Sequence, residues 1–252
     1  MTSNRLMELD RKIFGTYPPF WLHDPSNPLK NILDILSPIT IWAYGSLAIL
    51  MGVIWTIGFI CDGRILYRMT FAFSLVILFA APIWYIFPAI SPQQAYVDNI
   101  LDAEIPKPIA PVIASFYPNH ATKTALEYYR QLWANNTNAY LAVTTMPSMH
   151  IAWALLIVYY GSLLLRPLMI VLIPHFAFNT LGTIYLLQHY AIDILAGIII
   201  GWLAIVICEC VIQRVKTPRY ITVADEFRQK DIEILRQSLM SFSRDIQKLK
   251  KK

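Results

Sequence analysis

The sequence predicts an all-α polytopic membrane helix bundle of about five transmembrane helices, preceded by interfacial helices and followed by an amphipathic one. Three observations lead there. Hydrophobic residues fill 56% of the 252 positions and charged residues only 15%, well below the roughly 25% of soluble domains. Apolar runs long enough to cross a bilayer, roughly 20 residues each, recur along the chain. The basic residues crowd outside those runs, above all after residue 213, and the net charge is +5. That bias suits an anionic membrane surface, and no nucleic-acid partner is expected.

The opening, MTSNRLMELDRKIF, lacks the apolar stretch of a cleavable signal peptide. Residues 13–36 hold four prolines, two aspartates and Lys30, so residues 1–37 read as an interfacial segment rather than a span. Spans are expected at 38–60, 66–90, 146–165, 167–188 and 190–213, which makes 38–213 the membrane domain. Leu165-Arg166-Pro167 separates the third from the fourth, a tight hairpin with proline opening the new helix. The one long connection, 91–145, is polar enough to lie outside the bilayer. Within it Thr124–Trp133 has the pattern of a short amphipathic helix, with Tyr128, Tyr129 and Trp133 suited to the headgroup zone. Asn135-Asn136-Thr137 matches a glycosylation sequon, a motif frequent by chance.

The tail, 214–252, is of a different kind. Ile232, Leu235, Leu239, Phe242, Ile246 and Leu249 form a seam of heptad period. With Lys248, Lys250, Lys251 and Lys252 beside it, the seam reads as a basic helix on the cytoplasmic leaflet. Homo-oligomer formation through the seam and disorder are the alternatives. Five spans put seven basic residues on the side of the N-terminus and fourteen on the other. By the positive-inside bias the C-terminus is cytoplasmic and the N-terminus external or lumenal. Cys61, Cys208 and Cys210 form no even framework and no metal-ligand spacing with histidine, so they are expected to pack as small hydrophobes, with no metal and no cofactor.

Two polar islands interrupt this apolar chain, Pro147-Ser148-Met149-His150 and His189-Tyr190-Ala191-Ile192-Asp193. Ionisable groups are costly at membrane depth, and their presence marks a functional site. His189 and Asp193 are four residues apart, one helical turn, and share a face if the segment is helical. A carboxylate there can hold one imidazole nitrogen and leave the other basic, while His150 serves as acid and base. The topology brings both islands and the Phe87–Pro92 turn to one face of the membrane. A helix N-terminal charge is the bland alternative for Asp193, and both roles can hold together. In the fourth span His175, Asn179 and Thr183 recur at i, i+4 and i+8; interhelical hydrogen bonding is expected of them, with a headgroup pocket as the alternative.

PSMH followed by H-x-x-x-D at this spacing resembles the type 2 phosphatidic acid phosphatase superfamily. The wider stretches TTMPSMHIAWAL and TIYLLQHYAIDILAG are more similar to its inositolphosphotransferase and inositol phosphorylceramide synthase branch. The resemblance covers roughly residues 7–205, including ELDRKIF and LDILSPIT near the N-terminus. It implies that His189 is the nucleophile that becomes a phosphohistidine, that Asp193 orients it, and that His150 shuttles the proton. It also implies that Ser148 hydrogen-bonds a phosphoryl oxygen.

Hydrolase-type members carry K-x6-R-P and an arginine six residues before the second histidine. Aligned on Pro88, this chain has Ala80 and Phe87 at the first two of those positions; aligned on Pro92, it has Trp84 and Ser91. The arginine position holds Thr183. Without an arginine clamp a phosphomonoester dianion is poorly matched, and a phosphodiester needs less neutralisation. Arg130, Lys123 and His120 of the long loop are the candidate cations. The expected partners are a phospholipid donor and a lipid-alcohol acceptor, with inositol phosphate as the group moved. A lipid phosphate phosphatase using water as acceptor is the alternative, and a membrane scaffold without catalysis a lesser one.

Overall fold

The computed structural model describes residues 2–97 and 145–214, and every regular element among them is helical. The chain runs through α1 (Thr2–Phe14), α2 (Pro18–Trp21), α3 (Lys30–Cys61), α4 (Gly63–Ile86) and α5 (Pro92–Val97). It continues through α6 (Met149–Leu164), α7 (Met169–Tyr185) and α8 (Ala191–Arg214), with a 3-10 turn at Arg166–Leu168 between α6 and α7. The segment 120–137 and the heptad tail lie outside the described residues.

Four helices are long and apolar enough to cross a membrane: Lys30–Cys61, Gly63–Ile86, Arg166–Tyr185 and Ala191–Ile212. The remaining expected span, 146–165, is a shorter apolar helix of 16 residues. Ser148 and Leu165, both in extended backbone, stop it at each end. At 1.5 Å per residue it is only ~24 Å long. Its place explains why that suffices. α6 is packed against α3, α4, α7 and α8 and forms the centre of the bundle. Ile151, Ala152, Leu156, Ile157 and Tyr160 are buried around its whole girth, as expected of a helix apolar on every side.

The first span begins at Lys30 rather than 38. Asn27 Oδ1 accepts from Leu29 N at 2.9 Å, and Lys30 pairs with Asp34 one turn on. Pro38 has no N–H for the Asp34 carbonyl; Ser37 Oγ donates to that carbonyl instead, at 2.9 Å. A hydroxyl re-satisfying a proline-freed carbonyl lets an apolar helix run through proline. Between α3 and α4, Asp62 accepts from Arg64 N and Ile65 N and caps the new helix.

Close approach of the helices rests on small residues. Cβ atoms added at Gly197 and Gly201 of α8 would lie 2.5 Å from Ser148 O and 3.2 Å from Ala152 of α6. This is the small-xxx-small packing of membrane helices. Toward the opposite end, Arg68 of α4 is ion-paired with Glu209 of α8, and Tyr160 OH donates to the same carboxylate at 3.3 Å. Of the cysteines, Cys208 is buried, its thiol donating to Arg68 O, while Cys61 is half-buried and Cys210 exposed.

Candidate active site

The two polar islands meet at one end of the bundle, each at the start of a helix. Ser148 immediately precedes α6 in extended backbone, and its N–H donates to Asp193 O at 3.1 Å. That bond ties one island directly to the other. Ser148 Oγ is buried and makes no hydrogen bond, so it does not cap its own helix. A buried hydroxyl without a partner is costly unless a ligand supplies one.

His150 follows in the first turn of α6. Its ring stacks on Tyr44 of α3, with centroids 4.5 Å apart and planes 12° from parallel. The ring of His189 lies 6.0 Å from that of His150, tilted by 62°. Two imidazoles at this separation can both address a single phosphoryl group. His189 Nδ1 is 3.5 Å from Asp193 Oδ2, facing it but longer than a closed hydrogen bond. That Oδ2 instead accepts from Tyr190 N at 3.1 Å, while Oδ1 has no partner. The helix N-terminal role of Asp193 is therefore made, and the contact to His189 is poised beside it.

The loop delivering His189 is tightly specified. α7 ends with Leu187 at φ 55°, in the left-handed region. Leu187 N bonds Ile184 O at 2.9 Å, and Gln188 N bonds Thr183 O at 3.0 Å, the Schellman pattern. His189 N joins the same Thr183 carbonyl at 3.1 Å. Glycine is usual at the left-handed position, and a leucine there costs about 1–2 kcal/mol. Leu187 is fully buried against Leu6, Met7, Phe20 and Tyr190, and burial of a leucine returns about 1.5–3 kcal/mol. Packing wins. Thr183 is fully buried and its hydroxyl donates to Thr180 O at 2.7 Å. The position where an arginine would stand is a structural part of the turn.

The turn after α4 is hooked to the same loop. Gln93 N donates to Leu187 O at 3.0 Å, and Gln188 Nε2 to Gln93 Oε1 at 2.6 Å. Ala80 is wholly buried in α4, Ser91 is buried, and Phe87 is exposed. Trp84 is half-buried, and its indole nitrogen is buried without a partner. Below the site, His175 Nε2 lies 3.0 Å from Ser46 Oγ of α3, an interhelical hydrogen bond. Asn179 is fully buried with neither amide atom bonded. Arg130, Lys123 and His120 lie outside the described residues. No group of three or more His, Cys, Asp or Glu residues fit to hold a metal occurs among the described residues.

Sequence reasoning missed three residues. Tyr44 fixes the His150 ring, and an isolated tyrosine in an apolar span carries no signal of that. His23 Nε2 donates to Tyr185 O at 2.7 Å, holding the end of α7; burial keeps its pKa low and the ring neutral. Asp10 is the third. Its carboxylate accepts from Ala191 N at 2.8 Å and Ile192 N at 2.9 Å, the first amides of α8. Burial, helped by the Asp193 charge, pushes Asp10 up to about 6, against the pull of those two bonds. Its signal was present: Ser3, Leu6, Met7 and Asp10 share the buried face of α1, and a carboxylate on such a face needs a reason.

No curated protein and no solved structure matches the chain. The sequence pattern of one family does, over residues 7–207. That stretch runs from the helix carrying Asp10, through both histidines, into the last third of α8. Proteins of this family are lipid phosphatases and phosphotransferases, and this chain is an integral-membrane member of the PAP2 superfamily.

Proposed function

We propose that this protein transfers a polar-headgroup phosphate, inositol phosphate from phosphatidylinositol, to a lipid hydroxyl through a phosphohistidine at His189. In the first step His189 Nε2 attacks phosphorus as the bond to the glycerol oxygen breaks. His150 gives that oxygen its proton, and diacylglycerol leaves. In the second step His150 takes the proton from the acceptor hydroxyl, whose oxygen attacks phosphorus as the P–N bond breaks. His150 ends protonated and His189 free. Splitting one displacement into two in this way is nucleophilic catalysis with a shared acid–base group. Ser148 Oγ, buried and unpartnered, is the donor for a phosphoryl oxygen. The active site is read as facing the external or lumenal leaflet.

One observation carries the transferase reading. At position 183 a fully buried threonine is built into the turn that presents His189. A phosphomonoester dianion would call for a cation there, whereas a phosphodiester carries one charge fewer. The test supplies purified protein with headgroup-labelled phosphatidylinositol, with and without a lipid alcohol, and separately with phosphatidic acid. Labelled headgroup on the acceptor is expected. Fast release of inorganic phosphate from phosphatidic acid with no headgroup transfer sinks the reading in favour of a phosphatase. His189→Ala should abolish turnover together with any acid-labile phosphoenzyme, and full activity in that variant overturns the mechanism.

A further inference from the structure

The first turn of α8 carries Asp193, yet its leading amides are held by a residue 181 positions earlier in the chain. A helix start needs an acceptor, and a serine or asparagine just before it would serve without burying charge. Tyr190 stands there instead, and the acceptor is a fully buried carboxylate on a separate helix. That choice is expensive. What it accomplishes is visible in Asp193. With Ala191 N and Ile192 N occupied by Asp10, the Asp193 carboxylate accepts from Tyr190 N and stays 3.5 Å from His189.

We propose that Asp10 is a positioning residue for the nucleophile: it saturates Ala191 N and Ile192 N, so that the Asp193 carboxylate, held by Tyr190 N, stays beside His189 rather than being drawn onto those two amides. This rests on His189 being the nucleophile. α1, at 13 residues too short for a membrane span, thereby becomes part of the active site. The titratable groups facing Asp10 from α8 and the residue before it are Asp193 and Tyr190. On α1 itself, Glu8 and Arg11 pair with each other on the exposed side.

The test uses the full chain in detergent, with the wild type, Asp10→Asn, Asp10→Ala and His189→Ala. Orthovanadate is the probe, because a histidine-bound five-coordinate vanadate imitates the transferring phosphoryl group. Asparagine is isosteric but presents an NH2 to one of the two amides, so it breaks the paired contact without a cavity. Both Asp10 variants are expected to bind vanadate at least tenfold more weakly, while Asp10→Asn melts within a few degrees of the wild type at pH 7. Wild-type vanadate affinity in both variants overturns the proposal. So does a loss of binding that only tracks the fraction of unfolded protein. If His189→Ala binds vanadate as the wild type does, or the wild type does not bind it, the nucleophile reading itself fails.

Discussion

Gly197→Ala separates the packing of the bundle from the geometry of its site. The added methyl would sit 2.5 Å from Ser148 O and 3.2 Å from Ile151 Cβ. The nearer neighbour is backbone and cannot rotate away. Ordinary contact begins at 3.4 Å, so α6 and α8 must part by about 1 Å, an overpacking that costs ~1–3 kcal/mol. Alanine's better helix propensity offsets roughly 1 kcal/mol of that, which leaves a drop in thermal midpoint of only a few degrees. The site pays far more. Ser148 N donates to Asp193 O at 3.1 Å, and a further ~1 Å breaks the bond. The same displacement shifts His150 against His189, and misplacement of reacting groups by 1 Å lowers turnover about 100-fold. The measurement pairs lipid turnover with the melting midpoint, using Gly52→Ala as control because a methyl there meets nothing within 4 Å. Gly197→Ala with wild-type turnover would show that the α6–α8 approach does not set the catalytic geometry.

Other outcomes follow from the same structure. Ser148→Ala should leave the melting midpoint unchanged or raised, since the hydroxyl has no partner to lose, while kcat/KM falls about 10–100-fold; a clear drop in stability contradicts the assignment. Asp10 binds its proton more tightly folded than unfolded, so its contribution to stability falls as pH rises from about 4 to about 6, by ~3 kcal/mol in all. Asp10→Asn lacks that slope: its stability relative to the wild type should improve by ~3 kcal/mol between pH 4 and pH 7, and parallel melting curves across pH would refute the linkage. Arg68→Ala leaves Glu209 partly buried without its cation and with only the Tyr160 hydroxyl beside it, with an expected loss of about 3 kcal/mol. Because that pair lies toward the other end of the bundle, turnover of the folded fraction should persist, and Arg68→Met with Glu209→Leu should recover much of the stability.

The helices and the two polar islands were legible in the sequence for simple reasons. A span must be a continuous apolar run, and a histidine or aspartate inside one stands out against it. The boundaries were less so. The prolines, aspartates and Lys30 of residues 13–36 suggested a start at 38, but the carbonyl freed by Pro38 is met by Ser37, and the helix begins at Lys30. The central helix α6 is shorter than the run 146–165 suggested, because Ser148 and Leu165 leave helical backbone at its two ends. For Asp193 the spacing from His189 suggested a shared helical face, but His189 stands in the loop before α8, which begins at Ala191. Nor did that spacing foretell that the carboxylate would also be spent on Tyr190 N.

By itself, then, the sequence determined a helical membrane bundle with two polar islands, His150 at one helix start and His189 with Asp193 at another. Periodicity and hydropathy are local properties, and one chain displays them in order. Tertiary structure alone decided what stands between and behind those islands. It set Tyr44 against His150, bonded Ser148 N to Asp193 O, and inserted Asp10 beneath the start of α8. These pairings join residues tens to hundreds of positions apart, chosen by which helix faces are small enough to approach and which buried amides still lacked an acceptor. Neither condition exists until the bundle has closed.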